Sequence, residues 1–193
     1  MSHLTAAKHL LRYLKGTVNF GLLFPRAANK SEGVLEVWCD SDWSGDTVDR
    51  RSTYDYFIQY GGAPISWCSK KQSVVALSTC EAEYIASAET TCQCIWVESV
   101  LGDLKLNCRK PIQLMVDNKS AISLSKNHVF HGKSKHIDTK FHFLRDLVSQ
   151  GRIELLHCST EAQKADIFPK ALRPCRFHQL RDLLGVKALA SYV

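Results

Sequence analysis

No stretch of this 193-residue chain reaches the roughly 18 to 20 consecutive apolar residues that a bilayer crossing requires. Its opening, MSHLTAAKHLLRYLKG, has no unbroken apolar segment of the signal-peptide kind. A soluble, unsecreted protein with no membrane partner is expected, in the cytoplasm or nucleus. Glycine and proline are sparse, at 10 and 5 residues, which excludes a collagenous or linker-like chain. With 45% hydrophobic and 23% charged residues, the composition also excludes a disordered one. The eight cysteines (39, 68, 80, 92, 94, 108, 158 and 175) show no CxxC pairing, and several lie in apolar runs. Reduced, mostly buried thiols are expected, rather than a disulfide framework or a zinc site. The length suits one domain, or one domain with an appendage, at about 100 to 200 residues per domain.

Acidic residues are in deficit. Lys and Arg number 25 against 19 Asp and Glu, a net charge of +6. Residues 1–33 carry Lys8, Arg12, Lys15, Arg26 and Lys30 against Glu32 alone, and residues 103–150 hold nine Lys/Arg against four Asp. A basic surface of this kind favours polyanionic partners, nucleic acid among them, although many basic domains are merely soluble.

Leu4, Ala7, Leu11 and Leu14 are spaced three or four apart, with Lys8, Arg12 and Lys15 on another face, so a basic amphipathic helix over 3–15 is predicted, ending at Gly16. Residues 16–33 lose the pattern and read as a linker. Strands are expected at 34–40, 53–60 and 63–69, with Gly61-Gly62 as the hairpin turn between the last two. Ser78 and Glu81 form a capping box opening a helix over 78–101. A strand at 112–117, helices near 118–126 and 137–149, and a strand at 152–158 follow. Thr160 and Gln163 read as a second capping box, opening a last helix. The expected domains are a basic helix and linker (1–33), one folded domain (34–186) and a tail (187–193).

Four acids stand at the ends of these elements, where open α/β sheets place ligand sites. Asp40 ends the first strand, Glu83 lies in the first turns of the long helix, Asp117 ends the fourth strand, and Asp166 opens the last helix. Taken singly, each is explained as a cap or turn residue. Brought together, they would repel one another unless cations stood between them. Carboxylate oxygens favour hard ions such as Mg²⁺ or Mn²⁺, and a pair of these about 3.5 to 4 Å apart suits phosphate-ester hydrolysis.

The strings CDSDWSGD (39–46), RRST (50–53), PISWCSKKQSVVALSTCEAEYIA (64–86), VDNKSAI (116–122), SKHIDTKFHFLR (134–145) and TEAQKADIFPKAL (160–172) closely resemble the ribonuclease H domain of copia-type retrotransposon Pol polyproteins. AAKHLLRYLKGT resembles the segment that joins reverse transcriptase to that domain. The resemblance implies a ribonuclease H-like α/β fold, a mixed five-stranded sheet with three antiparallel strands first, flanked by helices. It also implies an endoribonuclease that cuts the RNA strand of RNA–DNA hybrids with two Mg²⁺ or Mn²⁺ ions, leaving a 5′-phosphate and a 3′-hydroxyl. The expected partners are the hybrid and the reverse transcriptase of a parent polyprotein.

The family's catalytic, metal-holding acids fall on Asp40, Glu83, Asp117 and Asp166. The resemblance has Asp40 bridging both ions, Glu83 and Asp117 holding one and Asp166 the other. Glu81 competes with Glu83 but has its own task in the capping box. Hybrid contacts are expected from Ser78, Thr79, Asn118 and Ser120, with Lys70, Lys71, Lys119, Lys133, Lys135 and Lys140 on phosphates, reading 2′-hydroxyls and shape rather than bases. For each lysine the alternative is a solvated surface charge. A structural role is the default for His136, and His157, within a predicted strand, is not assigned the role of a mobile catalytic histidine.

Three residues depart from the family pattern. Tyr54-Asp55 stands where Ser-Gly is usual and is expected to disturb the start of its strand. Pro169 replaces a usual Thr and, inside a helix, would cost about 3 kcal/mol. The second function reading is therefore a transposon-derived nucleic-acid-binding remnant that cleaves poorly. Polymerase chemistry is not expected, since no aspartate-pair motif or palm-sized segment precedes residue 34.

Overall fold

The computed structural model of the chain describes residues 3–25, 33–126 and 135–189. Its first helix, α1 (His3–Gly16), ends at the predicted glycine and buries none of its residues. Within the segment read as a linker lies a short strand, β1 (Phe20–Leu22).

The main sheet begins with β2 (Leu35–Asp42), β3 (Thr53–Tyr60) and β4 (Ala63–Lys71), an antiparallel run. Gly61 and Gly62 both take positive φ, 57° and 82°, which matches the two-residue hairpin turn that the strand twist favours. The β3 pairing starts at Thr53 on both sides, so Tyr54 and Asp55 do not disturb the start of the strand. Tyr54 packs against the main core and Asp55 points to the other face, where both are accommodated by the alternation of the pleat.

The 25-residue helix α2 (Thr79–Asp103) crosses back over this sheet. Its start is the predicted capping box: the Glu81 amide donates to Ser78 Oγ at 3.2 Å, and Glu81 Oε2 accepts from the Leu77 amide at 2.7 Å. Glu81 is thereby committed to the cap. Small side chains at Ala82, Ala86, Ser87 and Ala88 are buried and let the helix lie close to the strands. After α2 come β5 (Ile112–Val116), α3 (Lys119–Lys126), α4 (Lys135–Ser149) and β6 (Ile153–His157). Strand order is β4-β3-β2-β5-β6, with β2, β5 and β6 mutually parallel, so the five-stranded mixed sheet matches the expected fold class.

The larger core lies between the sheet and α2, α3 and α4, built from Val37, Cys39, Ile58, Tyr84, Leu114, Val116, Leu144 and Leu155. Each such side chain removed from water contributes about 1.5 to 3 kcal/mol. The opposite face carries a smaller core of Trp38, Phe57, Ala165, Leu180 and Leu184.

Beyond β6 the expected helix is replaced. Two single 3₁₀ turns, Thr160–Ala162 and Ala165–Ile167, precede the α-helix α5 (Pro174–Leu183). Thr160 and Gln163 form no capping box, because Gln163 turns its amide inward to the end of β2. Pro169 lies in the turn after the second 3₁₀ segment, so it breaks no helix and carries no helix-interior cost. The strand β7 (Val186–Ala188) pairs antiparallel with β1, tying the segment after α1 to the far end of the domain. Among the described residues no helix is long and apolar enough to cross a membrane.

Candidate metal centre

The parallel register of β2 and β5 sets Val37 beside Leu114 and Trp38 beside Met115. Two residues further, the same register brings Asp117, just past β5, level with Asp40. Glu83 enters from the first turns of α2. The Ser41 amide and hydroxyl donate to Glu83 Oε1 at 3.0 and 2.8 Å, which fixes the carboxylate against the end of β2. One carboxylate oxygen each from Asp40, Glu83 and Asp117 lies within 4.8 Å of the others.

This cluster is costly in the absence of cations. Asp40 is 1% exposed and Glu83 5%. Burial, then the nearby Asp40 and Asp117, push Glu83 up to about 8, offset in part by the two Ser41 bonds. Burial raises Asp40 to about 6, with Lys170 pulling down and Asp166 and Asp117 pushing up. Glu83 Oε2 is buried without a hydrogen-bond partner. A buried, unsatisfied carboxylate oxygen facing two more carboxylates fits a hard divalent cation such as Mg²⁺ or Mn²⁺.

Asp166, 3% exposed, stands at one remove from this triad. The Lys170 ammonium links it to Asp40, at 2.5 Å from Asp166 Oδ1 and 2.8 Å from Asp40 Oδ2. Burial alone would lower the lysine's pKa, but Asp40 and Asp166 hold it above its ordinary value. Gln163, fully buried, positions the Asp166 turn: its Nε2 donates to the Cys39 carbonyl at 2.8 Å and its Oε1 accepts from the Ala165 amide at 3.3 Å. Gln163→Leu is expected to cost about 1 to 3 kcal/mol in urea denaturation, since it strands the buried Cys39 carbonyl. A loss under about 0.5 kcal/mol would contradict this tie.

Among the residues expected to touch hybrid, Ser78 and Asn118 already have local tasks. Ser78 caps α2, and Asn118 Oδ1 accepts from the Ala121 amide at the start of α3. Thr79, Lys70, Lys119 and Ser120 are exposed around the same end of the sheet. Lys71 is paired with Asp46 and, at 3.2 Å, with Asp49, so its charge is partly engaged. Lys133 lies outside the described residues, and Lys135, His136 and Lys140 are placed only as backbone of α4.

Sequence reasoning overlooked four residues of the site. Lys170 carried a usable signal, its i, i+4 spacing from Asp166. Asp55 was noticed only as a departure, yet it pairs directly with Asp40 across β2 and β3. Ser41 gave no signal and Gln163 a misleading one, as a capping-box residue, because their roles depend on contacts made across 42 and 124 residues of chain.

The chain is 39% identical over 184 residues, 95% of its length, to the retrovirus-related Pol polyprotein from transposon TNT 1-94 of Nicotiana tabacum, and covers 14% of that protein. It is equally 39% identical over 184 residues to the Pol polyprotein from transposon RE1 of Arabidopsis thaliana, covering 12% of it. The chain therefore spans only a small part of the length of these relatives. Among solved structures, LC11-RNase H1, isolated from compost by a metagenomic approach, superposes with a TM-score of 0.51 at 14% identity, over 69% of this chain and 91% of that one. That likeness identifies the fold. No protein-family model matches the chain.

Proposed function

Because the chain is a homologue of the Pol polyproteins of copia-type retrotransposons and has the ribonuclease H fold, we propose that it is a divalent-cation-dependent endoribonuclease acting on the RNA strand of RNA–DNA hybrids. The observation that carries this reading is the convergence of Asp40, Glu83 and Asp117, three acids 77 residues apart in chain at their extremes, within 4.8 Å of one another. Asp40, Glu83 and Asp117 would hold one Mg²⁺ or Mn²⁺, and Asp40 with Asp166 a second. Such ions, when bound, supply a more acidic water and neutralise charge on the leaving oxygen.

The chain's own residues supply position. Ser41 orients Glu83 through two hydrogen bonds. Gln163 fixes the turn that carries Asp166 to the end of β2. The exposed Lys70, Lys119, Ser120 and Thr79 line the approach to the same end of the sheet, where a polyanionic backbone would lie. Cleavage would then depend on duplex shape and 2′-hydroxyls, with little base preference.

Purified chain with Mg²⁺ or Mn²⁺ is expected to cut the labelled RNA strand of a hybrid, to spare duplex DNA of the same sequence, and to stop on chelation. Failure to cut under any of these ions, with hybrid still bound, would favour the binding-remnant reading. In either case the affinity for hybrid should fall with salt. Lys70→Ala and Lys119→Ala together should weaken binding uniformly across sequences and reduce the slope of log K against log salt by about one per lysine. An unchanged slope would remove these two residues from the contact surface.

A further inference from the structure

Lys170 places its ammonium between the carboxylates of Asp40 and Asp166, at 2.8 and 2.5 Å. Those are the two acids assigned above to the second ion. Divalent magnesium would need the same oxygens at about 2.0 to 2.1 Å. An ammonium and a divalent cation cannot share them at those distances without strong repulsion. The first-ion half of the site is different: among the described residues, Glu83 Oε2 is buried with no hydrogen-bond partner and no lysine or arginine forms an ion pair with it.

Resting on the metal-centre reading, we propose that Lys170 is a built-in counter-ion, a positioning residue that occupies the second cation seat in the metal-free protein and must withdraw before a second ion enters. The geometry permits the withdrawal. The carboxylates are almost wholly buried, at 1% and 4% exposure, while the Lys170 side chain is 35% exposed on its outer side. Its backbone is anchored by a hydrogen bond from its amide to the Asp166 carbonyl at 3.3 Å, so the head can swing into solvent while the turn stays in place. Two consequences follow. The two ions bind in order, first at Asp40, Glu83 and Asp117. The Asp40–Asp166 spacing is also maintained before metal arrives, because an ammonium screens the repulsion that would otherwise part the two acids.

Calorimetric titration with Mn²⁺, in the absence of any nucleic acid, tests this on the parent chain, Lys170→Met and Asp117→Asn. Lys170→Met is expected to bind the second ion at least about tenfold more tightly than the parent, or to reveal a second ion where the parent shows one. Its melting temperature without metal should be lower by several degrees and should recover with Mn²⁺. A second affinity unchanged or weakened in Lys170→Met would overturn the proposal while leaving the metal centre intact. No Asp117-dependent uptake by the parent would overturn the metal centre itself, and the counter-ion role with it.

A second measurement needs no variant. Acylation of Lys170 by an amine-reactive ester, read by mass spectrometry, should rise severalfold when the parent is saturated with Mn²⁺, since the amine leaves its two carboxylates. Labelling that stays level or falls would count against the proposal.

Discussion

Asp40→Asn is expected to lower hybrid cleavage by about 10³-fold or more while making the metal-free protein more stable at pH 8 than the parent chain. The first effect follows from the central place of Asp40. Among the described residues it alone stands both in the triad with Glu83 and Asp117 and in the pair with Asp166 bridged by Lys170. Its loss would weaken both of the proposed cation seats, and about 4 kcal/mol of transition-state stabilisation corresponds to 10³ in rate.

The second effect follows from the direction of the pKa shift. Burial raises Asp40 to about 6 despite the help of Lys170, so its charged form is disfavoured by the fold. Its contribution to stability is whole below an unfolded pKa near 4 and is lost as pH rises through about 6. Asparagine removes that penalty and relieves Glu83 as well, whose carboxyl is raised partly by Asp40. A gain on the order of 1 to 3 kcal/mol is expected at pH 8 and none at pH 4. Urea denaturation in chelator at both pH values measures it, beside a cleavage assay. Cleavage within tenfold of the parent would remove Asp40 from the metal centre, and an equal loss of stability at both pH values would show that its charge is not the cost.

Asp55→Asn should stabilise the chain more than any surface substitution, and only above acid pH. Asp55 is 0% exposed and lies between Asp40 on β2 and Ser69 on β4 in the strand register. Neither of its oxygens has a hydrogen-bond partner of good geometry. Burial raises it to about 7, the Ser69 side chain offsets this in part, and the charges of Asp40 and Asp42 add to it. The folded chain therefore keeps the proton of Asp55 where the unfolded chain has released it. Stability is full below about pH 4 and drains away as pH climbs toward 7, beyond which the penalty is constant. Asparagine has nearly the same volume and no charge to bury, so the gain at pH 8 should reach up to about 4 kcal/mol and vanish near pH 4. Urea midpoints across pH 4 to 8, in chelator, measure the difference. A gain independent of pH would mean that packing, not ionisation, is responsible.

Stability and the proposed function pull against each other at this end of the sheet. Asp40, Glu83 and Asp55 are all buried, and all are raised above their ordinary values. Carboxylates kept close without their cations cost stability, and cations would restore it by binding the folded state alone.

The sequence by itself determined the strand and helix order from β2 through β6, because each element there carries its own periodicity and its own punctuation, whereas β1 lies in a stretch that reads as a linker. The Ser78–Glu81 cap and the Gly61-Gly62 turn are local devices that need no distant partner. It also singled out four candidate acids, since strand ends and helix starts can be read from one dimension and the resemblance fell on the same positions, and the fold brings three of them, Asp40, Glu83 and Asp117, within 4.8 Å of one another. The turn after β6 could not be read in this way. Thr160 and Gln163 have the spacing of a capping box, but Gln163 Nε2 donates to the Cys39 carbonyl and its Oε1 accepts from the Ala165 amide, so buried hydrogen bonds take the place of the cap. Pro169 looked like a helix breaker only because that helix was assumed. Tertiary structure alone decided that Asp55 would face Asp40 and that Lys170 would stand between two acids. Both depend on register and turn geometry, which bring charges together over sequence separations where no local pattern operates.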